Sequence, residues 1–268
     1  MRPGVVAGIL SAWLLAPTAW AQDGQDCTAA QLAPIDAWLA AHPWKVGKTN
    51  PDARVDAACK ASPVDQAVLI VAAAYVQDTD DDRMGVGDKN VIVALVQPRA
   101  GKLRSVLTGT IAEDAGMRVA RGSLHVDTAR YDLAAGVRAF GVDVSSDAPG
   151  PKCPDGVFGP LRTLFVQDGA SLRPVLAGVP LTSWHRVSGP ACPWSEGADD
   201  AVIQNTATTI SVAPHATHGF ADLVLASTID GRPAPRRRRV LPYDGTRYGA
   251  KDDSLWPDII RPEAATSR

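Results

Sequence analysis

The residues best suited to chemistry begin with an acidic run. Asp78, Asp80, Asp81 and Asp82 precede Gly85, Gly87 and Asp88, and an apolar stretch follows. Calcium loops gather oxygens at alternate positions because the chain wraps the ion. Read from Asp80, that register offers Asp80, Asp82 and Asp88 as metal ligands, but it places Met84 where an oxygen is needed. The same residues make an ordinary solvated acidic loop, the reading that Met84 favours. His215 and His218 form a His-x-x-His pair with no third ligand nearby in sequence, so a polar loop is the plainer reading. Ser183-Trp184-His185 holds a hydroxyl and an imidazole together, yet no Gly-x-Ser-x-Gly elbow presents a nucleophile. Paired carboxylates of the glycosidase kind depend on a separation that only three dimensions set. No glycine-rich phosphate loop is present.

Arg236, Arg237, Arg238 and Arg239 are the concentrated basic run. They offer contact with an anionic envelope component. The structural alternative is a strand start where charge discourages edge pairing, and that alternative is favoured. With 27 Lys plus Arg against 29 Asp plus Glu, the chain lacks the basic excess that nucleic acid requires.

The N-terminus reads as a cleavable signal peptide over residues 1–21. Arg2 is followed by the apolar run Val5 to Ala16, then Pro17 and Ala19-Trp20-Ala21. The run is shorter than the roughly 20 residues of a membrane span, and no later stretch is long enough. Four cysteines follow it: Cys27, Cys59, Cys153 and Cys192. An even number in an exported chain points to two disulfides, with three pairings open. Local closure favours Cys27–Cys59 and Cys153–Cys192, each worth roughly 3–4 kcal/mol through loop entropy. The spacings lack the close pair of a zinc site.

The elements that must position these residues are mostly strands. Residues 28–41 form a helix, since Ile35, Trp38 and Leu39 recur at helical spacing and His42-Pro43 stops it. A further short helix is expected near Arg54 to Cys59, making residues 22–65 a helical and irregular segment clipped to the body. Residues 66–250 are the β-rich part, and 251–268 a polar tail that frays beyond Ile260. Gln66 to Val76 suits a central strand or a buried helix. Hairpins are expected over 91–107, 162–176 and 238–250, turning at Pro98 to Gly101, Asp168-Gly169 and Asp244-Gly245. Segments 123–176 and 208–250 share a strand–loop–strand–hairpin order, with a divergent copy at 66–107. The fold class is therefore mainly β: repeated antiparallel hairpins in a blade-like or sandwich arrangement.

Gly219-Phe220-Ala221-Asp222-Leu223-Val224-Leu225 resembles the end of the FG-GAP repeats of integrin-like propellers, where a calcium loop runs into Gly-x-x-Asp-Leu and a strand. Here Pro214, Ala216 and His218 stand where that loop carries acids, so the likeness implies blade-like strands more than calcium. DTARYDLAAGVRAFGVDV (127–144), THGFADL (217–223) and YDGTRY (243–248) resemble an uncharacterised family of secreted proteins from Gram-negative bacteria. That resemblance spans roughly residues 59–250. It implies a β-rich periplasmic protein and brings no catalytic residues. The function expected is an exported, non-catalytic binding protein for an unidentified envelope component or protein, with no cofactor. A hydrolase of an envelope polymer and a calcium-stabilised binding module are the rivals.

Overall fold

The computed structural model describes residues 25–42, 53–77, 87–190, 192, 200–230, 237–249 and 259–263. The expected signal peptide, Asp78 to Asp82 and Arg236 lie outside these residues.

Thr28 starts helix α1 (Ala29–Ala41) with a capping box: its hydroxyl accepts the Gln31 N–H, while Gln31 Oε1 accepts the Thr28 N–H. Leu32, Ile35 and Leu39 form the buried stripe, and His42 closes the helix by stacking on Trp38.

The strands follow as β1 (Arg54–Ala61), β2 (Leu69–Val76), β3 (Lys89–Gln97), β4 (Lys102–Ile111), β5 (Leu124–Ala134), β6 (Val137–Val144), β7 (Gly156–Phe158), β8 (Leu161–Asp168), β9 (Ser171–Pro180), β10 (Thr182–Ser188), β11 (Val202–Thr217), β12 (Phe220–Ile229), β13 (Arg237–Leu241) and β14 (Arg261–Pro262). The first sheet runs β1-β2-β3-β4-β9-β8-β6-β5, with β14 on β4; the second runs β13-β12-β11-β10-β7.

The first sheet curls into a half-barrel. Its inner face brings Ile70, Val93, Val126, Phe140, Val142 and Phe165 from distant strands into one core. Outside, β2 and β3 are covered by α1, where Ile35 and Leu39 meet Val71, Tyr75 and Ile92. With both faces covered, β2 is the unbroken apolar run LIVAAAYV instead of an alternating one. The outer faces of β5, β6, β8 and β9 pack on the second sheet through Tyr131, Leu164, Leu176, Leu223, Leu225 and Leu241. The arrangement is thus two-layered and sandwich-like.

Several of the expectations change. Arg54 to Cys59 is not helical: it is strand β1, pairing residue for residue with β2 from Asp56 to Ala61. The hairpin blocks at 66–107 and 123–176 do not stand apart as separate blades. They join in one sheet through the parallel bridge Val106↔Ser171. The tail does not fray at Ile260: Arg261 and Pro262 pair with Thr110 and Gly109 of β4, and Ile259 and Ile260 enter the half-barrel core. The expected hairpins at 91–107 and 162–176 are present as β3–β4 and β8–β9, whereas at 238–250 β13 pairs with β12 and the isolated bridge Tyr243↔Tyr248 flanks the Asp244-Gly245 turn. At the β8–β9 turn Gly169 takes φ 60°, a value open to glycine at little cost.

The edges β1 and β5 are joined by side chains in place of a ladder. Asp56 on β1 accepts the N–H groups of Gly122 (3.0 Å) and Leu124 (2.7 Å). The Gln25 amide takes the Val126 N–H at 2.7 Å and donates to the Val126 carbonyl at 2.9 Å, acting as a strand edge of one residue. Cys27–Cys59, spanning 32 residues, holds this segment on β1, and the Cys59 N–H donates to the Gln25 carbonyl. Cys153–Cys192, spanning 39 residues, ties the loop before β7 to the one before β11. Two such bonds mark a chain that matures in an oxidising compartment outside the reducing cytosol. Among the described residues, no helix is long and apolar enough to cross a membrane.

Candidate ligand cavity at the mouth of the half-barrel

One end of the half-barrel opens into a cavity of about 380 Å³. The β1–β2 loop forms one wall and is internally braced. Ser62 Oγ accepts the N–H groups of Val64 and Asp65, and Asp65 Oδ1 accepts that of Ala67. The β5–β6 turn at Gly136 and the β8–β9 turn at Gln167 to Gly169 form the opposite wall. Val68, Ile70, Leu95 and Phe140 supply an apolar floor continuous with the core.

Two guanidinium groups line this floor. Strand alternation puts Arg138 on the same face of β6 as Phe140 and Val142. Arg138 Nη2 donates to the Thr128 carbonyl at 3.1 Å. Its Nε is buried, has no hydrogen-bond partner, and stands 3.9 Å from Asp132 Oδ1. Arg104 on β4 also lines the cavity and pairs with Asp65 at 3.4 Å, both side chains being 44% exposed. The arrangement suits binding: apolar contact below and fork-shaped cationic donors at the side.

A second polar cluster lies on the outer face of β5, β6 and β8. Arg162 grips Asp143 with Nε (2.6 Å) and Nη2 (2.7 Å). Its Nη1 reaches Asp127 (2.8 Å) and the Tyr131 hydroxyl (2.9 Å), and that hydroxyl donates to Asp127. The Arg162 side chain crosses β6 over Gly141, where a Cβ would come within 3.2 Å of its Cδ and Nε. Burial alone would raise the Asp143 carboxyl. The hydrogen bonds from Arg162 and His125 outweigh it and hold the group below the usual carboxylate range. The Tyr131 hydroxyl is pushed up to about 12, chiefly by burial. A carboxylate kept ionised in this way is unsuited to act as a general acid, which needs a raised pKa. The cluster works as a clamp across three strands.

The residues singled out in the sequence are scattered. Asp88 accepts the Glu113 N–H at 3.2 Å, beside the buried pair Lys89–Glu113 (3.1 Å). Asp80 and Asp82 lie outside the described residues, among which no group of three or more His, Cys, Asp or Glu is placed to hold a metal. His215 pairs with Asp222 at 3.0 Å, whereas His218 sits at φ 49° in the β11–β12 turn. Ser183 and His185 fall on β10, which pairs with β7 and β11. Arg237, Arg238 and Arg239 form the edge strand β13, opposite Ser227, Ala226 and Leu225 of β12. The residues that sequence reading passed over are Arg104, Arg138 and Gln25. For Arg138 a signal existed: VRAFGVDV places an arginine in step with Phe140 and Val142, on a face otherwise apolar.

No family model, no curated protein and no solved structure matches this chain.

Proposed function

We propose that this chain is a periplasmic binding protein, exported by its N-terminal signal peptide, whose small-molecule ligand seats at the mouth of the half-barrel. The observation that carries the reading is the 380 Å³ cavity, in which arginines line an apolar floor. Its size falls in the range of roughly 300–1,000 Å³ typical of ligand pockets. The braced β1–β2 loop supports binding without large rearrangement, which lowers the ordering cost. The partner is a component of the envelope, and the disulfides suit a protein that works there.

The test uses the uncharged fluorophore N-phenyl-1-naphthylamine with the mature, oxidised protein. Saturable fluorescence enhancement is expected, with amide chemical-shift changes centred on residues 62–70, 136–140 and 167–169. No saturable binding, or shifts centred elsewhere, would overturn the proposal.

A further inference from the structure

We infer that the mouth cavity takes a small anionic amphiphile, an alkyl carboxylate or alkyl phosphate, with its head on Arg138 and its chain on the apolar floor. The inference rests on the cavity reading above and adds the chemistry of the ligand. Arg138 is the key residue. A guanidinium carries five N–H donors, yet the hydrogen bond described for Arg138 goes to one backbone carbonyl, that of Thr128. Its Nε is buried without a partner. The Arg138 side chain is 23% exposed beside an apolar floor, so it keeps only part of its hydration, a loss that a counter-charge within reach offsets. Asp132 lies 3.9 Å away, is 45% exposed, and also binds Arg130 at 2.7 Å. An anion entering from the mouth would supply what Asp132 does not, and the planar fork of arginine matches a carboxylate or phosphate.

The other charges in the cavity point the same way. Asp65 is the acidic residue of the lining, and it is engaged by the Ala67 N–H and by Arg104. Asp132 is shared between Arg138 and Arg130 and lies outside the lining, within which two guanidiniums stand against one occupied carboxylate, so an ammonium ligand would meet repulsion. The floor of Val68, Ile70, Leu95 and Phe140 selects for a hydrocarbon chain behind the head.

The experiment is competition against bound N-phenyl-1-naphthylamine, with calorimetry as a second readout. The competitors are octanoate, octyl phosphate, octanol and octylammonium. At least one of the two anions should bind tenfold or more tightly than octanol and octylammonium. Which anion leads distinguishes a fatty-acid source from a phosphate-bearing lipid fragment. From hexanoate to decanoate the affinity should rise by up to about fourfold per methylene. Arg138→Met should reduce the anion-to-octanol affinity ratio at least tenfold. Arg104→Met, at a more exposed site, provides a second variant should the first fold poorly, and should reduce the ratio severalfold. Equal binding of octanol, octylammonium and both anions, or an unchanged ratio in folded variants, would overturn the inference. Failure of the fluorophore itself to bind would instead remove the cavity reading beneath it.

Discussion

Asp56 stands where a backbone ladder would otherwise close the half-barrel, so replacing it tests how the seam is held. Its carboxylate is buried and accepts two main-chain N–H groups, Gly122 at 3.0 Å and Leu124 at 2.7 Å. Asp56→Ala leaves the Leu124 N–H without a partner at a buried site, whereas the N–H of the exposed Gly122 can turn to water. The orphaned buried donor costs about 1–3 kcal/mol and the lost bond to Gly122 about 1 kcal/mol, so the variant should lose roughly 2–4 kcal/mol. Against a typical total of about 5–15 kcal/mol that is a large fraction. The melting temperature should fall by roughly 10 °C for a chain of this size. Asp56→Asn keeps one acceptor oxygen and should lose about half as much. Urea unfolding measures the energy, and native-state hydrogen exchange locates it. Amides 122 and 124 should lose protection in Asp56→Ala, while Val126, held by Gln25, should keep more of its own. A loss below about 1 kcal/mol, with the Leu124 amide exchanging as slowly as before, would refute the idea that side chains close this seam.

Three other outcomes follow from the same contacts. Cys27→Ser with Cys59→Ser opens a loop of 32 residues and should cost about 4 kcal/mol by loop entropy; because the bond also anchors Gln25, the Val126 amide should lose protection, and unchanged exchange there would count against the anchoring role. Arg162→Met removes the shared cation from two largely buried carboxylates, leaving Asp143 with His125 and Asp127 with the Tyr131 hydroxyl, and should cost about 3 kcal/mol at neutral pH. The folded Asp143 carboxyl titrates below its unfolded value, so its contribution is complete above about pH 4 and fades as pH falls through the folded value; the gap between wild type and Arg162→Met in chemical denaturation should narrow on acidification, and a constant gap would contradict this. Tyr75 and Tyr131 are each raised by burial to about 12. Their contribution is complete below about pH 10 and is lost as pH rises through 12. Absorbance at 295 nm should therefore show both ionising only near or with unfolding, and ordinary titration near pH 10 in a folded protein would be inconsistent with their burial.

Local pattern was enough for two of the hairpins, β3–β4 and β8–β9. Asp168-Gly169 and the turn at Gly101 are where a short loop needs left-handed backbone, and hairpins form at both. Cys27–Cys59 and Cys153–Cys192 are the pairings that local closure favours. The apolar run at β2 left helix and strand open, because full burial on both faces erases the period that separates them. Arg54 to Cys59 misled for a related reason. RVDAAC is too short to carry a clear period, and pairing with β2 and the bonds from Asp56 to the Gly122 and Leu124 amides fix it as a strand.

The sequence by itself determined the β-rich class and the turns at Gly101 and Gly169, because each depends on residues near one another in the chain or on composition; it favoured one cysteine pairing but left three open. The tertiary structure alone decided that two hairpin blocks share one curled sheet, that Gln25 and Asp56 join its edges, and that Arg138 and Arg104 line one open mouth. Those facts depend on sheet curvature, which sums small twists over many strands and brings together residues whose separation along the chain carries no trace of their proximity.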